Sequence, residues 1–486
     1  MEAVVYEQIL DERLAALEAA RAWSPRVISK LESHIRSADD VALFRINPIR
    51  FAAEKNIAEA EAIDLFLHGA FLGLFEMDWL LLCSACSCVV ESFGSLKGVR
   101  NQFHCAMCRA DLEAALDDCI AVTFTVSPQI RPIAFHRPEN LAAGDFAFAY
   151  KLTDEGLLPD GTPFVQVLKA WTAAISHLPP GTTRLEVNAQ KGLLHAWAPD
   201  SDAGFDFRVD GEPSASPQTI RIRYLGNRCE PAEGMVAPGR IVFEIENATG
   251  QQGFLGVSAI PAEALPILEI PRLDFVPHLS GSRLLATQTF RDLFRSEAIR
   301  AVEGISVRDI TLLFTDLKGS TDLYDRIGDL NALSLVQQHF ERLREVTVRH
   351  GGAIIKTIGD AVMAAFVEPA DAVRAALAML QDMEAFNRQL PSREVILKIG
   401  IHRGAAIAVT LNEHLDYFGQ TVNIAARVQS LSEAREICLT NEVLTAPGVQ
   451  DILAPFAPKP TLAQLKGVHQ QMPVFRVNAG NTSALR

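Results

Sequence analysis

The chain of 486 residues has no stretch able to cross a bilayer as a helix. Its most apolar region, Gly69 to Val90, is interrupted by Glu76, Asp78 and a cluster of serines and thiols from Cys83 to Cys88, whereas a span needs about 20 predominantly apolar residues. Positive charge is also scarce. With 45 Lys and Arg against 59 Asp and Glu, the formal charge is −14, which argues against a general nucleic-acid or anionic-membrane surface, because phosphate binding needs clustered cations. The opening Met1-Glu-Ala-Val-Val-Tyr-Glu-Gln has neither the basic start nor the hydrophobic core of a secretory leader. The expectation is a cytoplasmic chain with no membrane partner.

Cysteine is sparse, with eight in all, yet five fall between Cys83 and Cys108. Cys83-Ser-Ala-Cys86 and Cys105-Ala-Met-Cys108 form a C-x₂-C…C-x₂-C pattern with the spacer of a zinc ribbon. Two such knuckles present four thiolates in a tetrahedron, which suits Zn²⁺, and a closed four-cysteine site is structural rather than catalytic. Disulfide pairing is disfavoured in a cytoplasmic chain. Cys88 and His104 are close enough in sequence to replace one ligand, while Cys119, Cys229 and Cys438 stand alone.

The length exceeds one core, so two to four domains are expected, and with 49% apolar residues there is material for each. Ile9, Leu10, Leu14 and Leu17 share a face of an N-terminal amphipathic helix. Asn47 to Leu82 has a helix-turn-helix character, from Pro48-Ile-Arg-Phe51 and the helical period of Glu59 to Leu72. A nucleic-acid reader here is opposed by the acidic balance and by a spacer in which Lys97 and Arg100 are the obvious cations. A zinc-stapled helical module making contacts within an assembly fits better. Phe164 to Ile175 reads as a helix. After it, short alternating runs at Thr183–Val187, Gly192–Trp197, Thr219–Tyr224, Arg240–Glu246 and Gly253–Val257, broken by Gly and Pro, suggest an antiparallel β-sandwich. No catalytic trio stands out in it. Ser282 to Gly304 carries a helical apolar repeat and is placed to transmit a signal.

Chemistry concentrates in the last third. Asp316, in Ile310-Thr-Leu-Leu-Phe-Thr-Asp-Leu-Lys-Gly-Ser-Thr321, and Asp360, in Ile354-Ile-Lys-Thr-Ile-Gly-Asp-Ala-Val-Met363, each follow a strand-forming run and belong at a strand end or hairpin tip. Brought together, the two carboxylates make a Mg²⁺ site. Downstream, Leu415-Asp-Tyr-Phe-Gly-Gln-Thr-Val-Asn-Ile-Ala-Ala-Arg-Val428 places Asp416 before a glycine turn, with Asn423 and Arg427 on one face of the next helix. Singly, these are ordinary strand ends, caps and helix faces. Their ordered coincidence is not ordinary.

On these residues the segment from about Val307 to Val477 resembles the catalytic domain of class III nucleotidyl cyclases. The resemblance implies a ferredoxin-like α+β domain in which Asp316, Asp360 and the carbonyl of Leu317 hold two Mg²⁺ or Mn²⁺ ions. It makes Lys356 and Asp416 the purine readers, Asn423 the ribose-orienting amide and Arg427 the transition-state cation. Gly319, Ser320 and Thr321 would present a helix start to the triphosphate, and Lys466, in Gln464-Leu-Lys-Gly-Val468, looks like the phosphate-binding lysine. A lysine donates to adenine N1 and an aspartate accepts from the exocyclic amine; guanylate-selective members carry Glu and Cys at these places. The implied substrate is therefore ATP, and the implied assembly a homodimer with two shared sites. Gln420 departs from the Asn or Asp common in the family, with no loss of catalysis expected.

The expected whole is a multidomain α+β protein. Residues 1–82 form a helical, winged-helix-like region, 83–130 the zinc ribbon, and 131–270 a helix plus β-sandwich with a sensory or scaffold role. Residues 271–305 form a linker helix and 306–480 the cyclase domain. Two rival readings stand beside an active adenylate cyclase: a catalytically silent nucleotide-binding regulator, and a zinc-ribbon regulator that binds nucleic acid or protein.

Overall fold

The computed structural model describes residues 4–269, 272–297, 299, 304–390, 395–466 and 471–478. The chain forms two compact units. The first comprises Met1–Gly94, Gln102–Ala114 and Asp118–Leu279, and the second Ser95–Asn101, Ala115–Asp117 and Ser280–Arg486.

The first unit begins with four helices, α1 (Glu7–Ala20), α2 (Val27–Ser37), α3 (Pro48–Lys55) and α4 (Glu59–Phe71). Leu10, Leu14 and Leu17 form the buried stripe of α1, while Ile9 is 36% exposed. α3 starts where Asn47 caps the amides of Ile49 and Arg50, with Pro48 in the first turn. The helical reading of residues 1–82 stops short, because Phe75–Leu82 is a strand, β1. Its run of apolar residues lies between β2 (Val89–Phe93) and β5 (Ile120–Val126), a strand buried along its whole length. Between β2 and β5 sits the small hairpin of β3 (Gln102–Cys105) and β4 (Ala110–Glu113).

The expected helix at Phe164 ends at Trp171, and Thr172–Leu178 is already a strand. The five alternating runs all fall within strands of two sheets, one of five and one of four strands. They share a core that includes Leu194, Phe205, Phe207, Ile222, Phe243 and Val257. The sheets are not wholly antiparallel as expected. Phe205–Val209 pairs in parallel with Glu233–Val236, and Gln218–Tyr224 in parallel with Gly239–Asn247. Alternation of apolar residues fixes which face is buried but not the direction of a neighbour, so the pattern could not distinguish these.

In the second unit the expected linker helix is two short helices, α5 (Gly281–Leu285) and α6 (Gln288–Leu293). Next come β6 (Ile305–Leu317), α7 (Ser320–Ile327), α8 (Asp329–Arg349), β7 (Ala353–Ile358), β8 (Ala361–Phe366) and α9 (Pro369–Asn387). β9 (Leu397–Leu411), β10 (His414–Phe418), α10 (Gln420–Ser430), β11 (Glu436–Thr440), β12 (Lys459–Ala463) and β13 (Met472–Asn478) follow. The sheet runs β7-β8-β6-β9-β11-β13-β12, with β10 paired to β9. Central β6 is buried through Ile310–Thr315, as a strand covered on both faces must be. One face packs on α9 through residues including Val373, Ala376, Met379 and Leu380. Alternation along β11 separates the two faces: Ile437 and Leu439 join that core, whereas Cys438 joins Ile424 and Val428 of α10. α10 approaches β9 so closely that a Cβ on Gly400 would lie 2.1 Å from the backbone nitrogen of Gln429. Only glycine fits there.

Candidate cyclase active site and four-cysteine centre

Asp316 lies at the end of β6 and Asp360 at the tip between β7 and β8, where Gly359 takes φ +64°. The antiparallel register that pairs Thr315 with Val362 brings both carboxylates to the same end of the sheet. One oxygen of Asp360, Oδ2, is buried with no hydrogen-bond partner, and so is the hydroxyl of Tyr324 on α7. Burial first, then the charges of Asp360 and Asp316, push the Tyr324 phenol up. The two acids thus concentrate negative potential at a point where one acceptor is unmet, a donor set that fits a hard divalent cation.

Asp316 is partly neutralised by Lys398, whose Nζ donates to Oδ2 at 2.6 Å from the facing position on β9. Lys398 was outside the sequence-derived set, since only strand register shows that it opposes Asp316. Leu317 closes β6, and Gly319 begins α7 with Ser320 and Thr321 in its first turn.

Lys356 on β7 and Asp416 on β10 come together, with Nζ to Oδ2 at 2.5 Å. Asp416 is 8% exposed, and its Oδ1 accepts the Tyr417 amide at 2.8 Å. The pair presents one cationic donor and one anchored acceptor side by side. Asn423 and Arg427 stand one turn apart on α10, which starts just after β10. Their side chains have no hydrogen-bond or ion-pair partner among the described residues. Lys466 is exposed beyond β12.

Cys83, Cys86, Cys105 and Cys108 also converge, all four sulfurs within 4.8 Å of one another. Cys83 to Cys108 is 3.8 Å and Cys86 to Cys105 is 3.7 Å. A tetrahedron with Zn–S of about 2.3 Å has an edge of about 3.8 Å. The residue after each knuckle turns left-handed, with Ser87 at φ 59° and Arg109 at φ 53°. Hydrogen bonds from the neighbouring thiols pull the Cys105 thiol down, while the same contacts push the Cys86 and Cys108 thiols up. His104 is turned away from this cluster, with Nδ1 to Asp111 at 2.7 Å and Nε2 to Asp202 at 2.8 Å. Cys88 is buried nearby, its Sγ 3.8 Å from the carbonyl of Pro199.

Residues 302–452 match the adenylate and guanylate cyclase catalytic domain. Residues 10–292, more than half of the chain, match a family of unknown function, DUF5939. The chain belongs to the DUF5939 family and carries a class III cyclase domain. It is similar to adenylate cyclase 2 of Rhizobium meliloti, 29% identical over 208 residues, covering 40% of this chain and 56% of that one. An adenylate cyclase of Anabaena cylindrica is 28% identical over 145 residues, covering 27% of this chain and 29% of the relative. A pH-sensitive adenylate cyclase of Mycobacterium tuberculosis is 24% identical over 311 residues, covering 60% and 74%. The chain therefore spans about half or less of the length of the first two and three quarters of the third. No helix among the described residues is long and apolar enough to cross a membrane. The Lys356–Asp416 pair and the two carboxylates described above both lie within the matched cyclase domain.

Proposed function

We propose that this protein is a cytoplasmic, homodimeric adenylate cyclase that converts ATP to 3′,5′-cyclic AMP and pyrophosphate, with a structural Zn²⁺ in the four-cysteine centre. The observation that carries the reading is the Lys356–Asp416 pair, a donor beside an acceptor at 2.5 Å, in the same domain as two converging carboxylates. Adenine offers N1 as an acceptor and its exocyclic amine as a donor, which Lys356 and Asp416 complement; guanine presents the reverse and would leave both unpaired. The order β6-α7-α8-β7-β8-α9-β9, a β-α-β-β-α-β pattern whose first connection holds two helices, supports a ferredoxin-like core.

Asp316, the Leu317 carbonyl and Asp360 would hold Mg²⁺ or Mn²⁺. Bound there, the ions would supply Lewis-acid stabilisation of the triphosphate and lower the pKa of the 3′-hydroxyl. The chain's own residues supply position and fixed charge. Arg427, permanently ionised and planar, would face the charge that develops on the α-phosphate oxygens. Asn423, one turn earlier, would orient the ribose, and Lys466 with the start of α7 would meet the phosphates. In the homodimer the two carboxylates of one protomer would face the purine readers, Asn423 and Arg427 of its partner. The DUF5939 region would regulate the site through the segment before Ile305.

The test incubates purified full-length chain with ATP or GTP and Mg²⁺ or Mn²⁺ beside an Asp360→Ala control, with cyclic nucleotide and pyrophosphate quantified. Cyclic AMP from ATP, abolished in the control, supports the reading. ATP binding without product under any condition would replace it with a silent nucleotide-binding regulator.

A further inference from the structure

α6 contributes nothing to the expected catalytic set, yet two of its side chains grip the strands that carry the purine readers. Gln288 is buried, at 9% exposed, and its Oε1 accepts the amide N–H of Ile354 at 2.8 Å. Ile354 lies on β7 two residues before Lys356, at the point where the β7–β8 register shifts between Ile354 and Lys356. Such an irregularity re-aims the side chains around it. The Gln288 bond therefore fixes the local backbone from which Lys356 projects. Gln288 is itself held, since its Nε2 donates to Asp292 Oδ1 at 3.0 Å and Asp292 pairs with Arg344 of α8.

Arg291, one turn along α6, reaches the other strand. Its Nη1 donates to the carbonyl of Leu415 at 2.9 Å, and its Nε donates to the carbonyl of Leu285 at 2.7 Å. Leu415 immediately precedes Asp416 on β10. Burial works against the charge of Arg291, and Tyr417 and Asp416 are the neighbours that support it. A guanidinium placed at that cost, spending its donors on two backbone carbonyls, acts as a brace with fixed fork geometry.

We propose that Gln288 and Arg291 are positioning residues for base recognition, tying Ile354 and Leu415 to one short helix so that Lys356 and Asp416 keep the spacing that reads adenine. The inference rests on the reading of those two residues as purine readers. Hydrogen bonds to the base weaken steeply with a displacement of a few tenths of an ångström or a poor angle, so two strands braced independently of each other would discriminate less well. Because both hang on α6, they keep their relation to each other when the helix moves.

The test uses full-length Gln288→Ala, Arg291→Ala and Arg291→Lys, the two alanine changes repeated in an Asp416→Ala background, with kcat and KM for ATP and GTP and a thermal melt for each. The alanine variants are expected to raise KM for ATP so that the ATP-to-GTP ratio of kcat/KM falls about tenfold, with partial recovery in Arg291→Lys. In the Asp416→Ala background Arg291→Ala should move the ratio by less than about twofold, because the acceptor it positions is gone, and Gln288→Ala should move it less than in the wild-type background, because the donor it positions no longer has an acceptor to keep its spacing from. A ratio unchanged in both alanine variants, or an equal loss with both nucleotides that follows the melting temperature, overturns the proposal. Should Arg291→Ala not fold, Gln288→Ala and Arg291→Lys carry the same comparison. Wild-type chain that forms no cyclic nucleotide overturns the underlying reading instead, and this inference with it.

Discussion

At Asp360 a buried carboxylate oxygen has no hydrogen-bond partner, an arrangement that costs stability unless a cation uses it. Asp360→Ala should therefore lower cyclic AMP formation by at least about 10²-fold while leaving the melting temperature unchanged or raised. A product assay beside a melt separates the two effects. Asp416→Ala should reduce the preference for ATP over GTP at least about tenfold, seen in the ratio of kcat/KM values. His339 on α8 is fully buried, and burial pushes its pKa down to about 4 against the opposing effect of the Asp360 backbone. The folded state thus holds it neutral, while the unfolded chain takes up a proton near pH 6.5. Its contribution to stability is present above pH 6.5 and lost as pH falls towards 4, by about 3 kcal/mol once complete. Denaturant melts from pH 7 to 4 should show the slope, and His339→Leu should flatten it. Asp316, Asp360, Lys356, Asp416, Asn423 and Arg427 were singled out as candidates by the sequence because each sits in a short motif. Lys398, Gln288 and Arg291 were not, because their roles depend on register and on contacts with segments distant along the chain.

α10 rides on β9 through Gly400, with no room for a methyl group. Gly400→Ala should cost about 1–3 kcal/mol by overpacking and displace the helix bearing Asn423 and Arg427. Activity should fall by more than the melting shift alone accounts for, as a melt and a rate measurement on one preparation would show. The cysteine knuckles are a second element whose two halves need each other. Cys105→Ser should abolish stoichiometric zinc and destabilise the first unit, read by metal analysis and by limited proteolysis. The spacing of four thiols was enough to anticipate the cluster. That both Cys88 and His104 stand outside the set of four was decided by the fold, which ties His104 to Asp111 and Asp202 instead.

If the assembled enzyme is a homodimer with shared sites, each inactive variant keeps half of a site. Mixing Asp360→Ala with Arg427→Ala should restore activity to about a quarter of wild type, because half of the dimers are mixed and each mixed dimer keeps one intact site of two. No recovery after co-refolding or co-expression would exclude sharing. The cyclase domain and the DUF5939 region each have their own sheets and cores. If the chain before Ser282 regulates the enzyme, its removal should change the rate or the response to effectors in the same assay.

The sequence by itself marked the candidate site residues and the positions of most strands and helices. Motif spacing and the two hydrophobic periods are local properties of the chain. Tertiary structure alone decided the parallel pairings within the sandwich, the break of the linker into α5 and α6, and the strand at Phe75–Leu82. It also decided the meeting of Lys398 with Asp316 and the hydrogen bonds that tie α6 to β7 and β10. Strand neighbours, register and long-range hydrogen bonds are settled only when segments far apart compete to bury the same apolar faces, and that competition leaves no local trace in the order of residues.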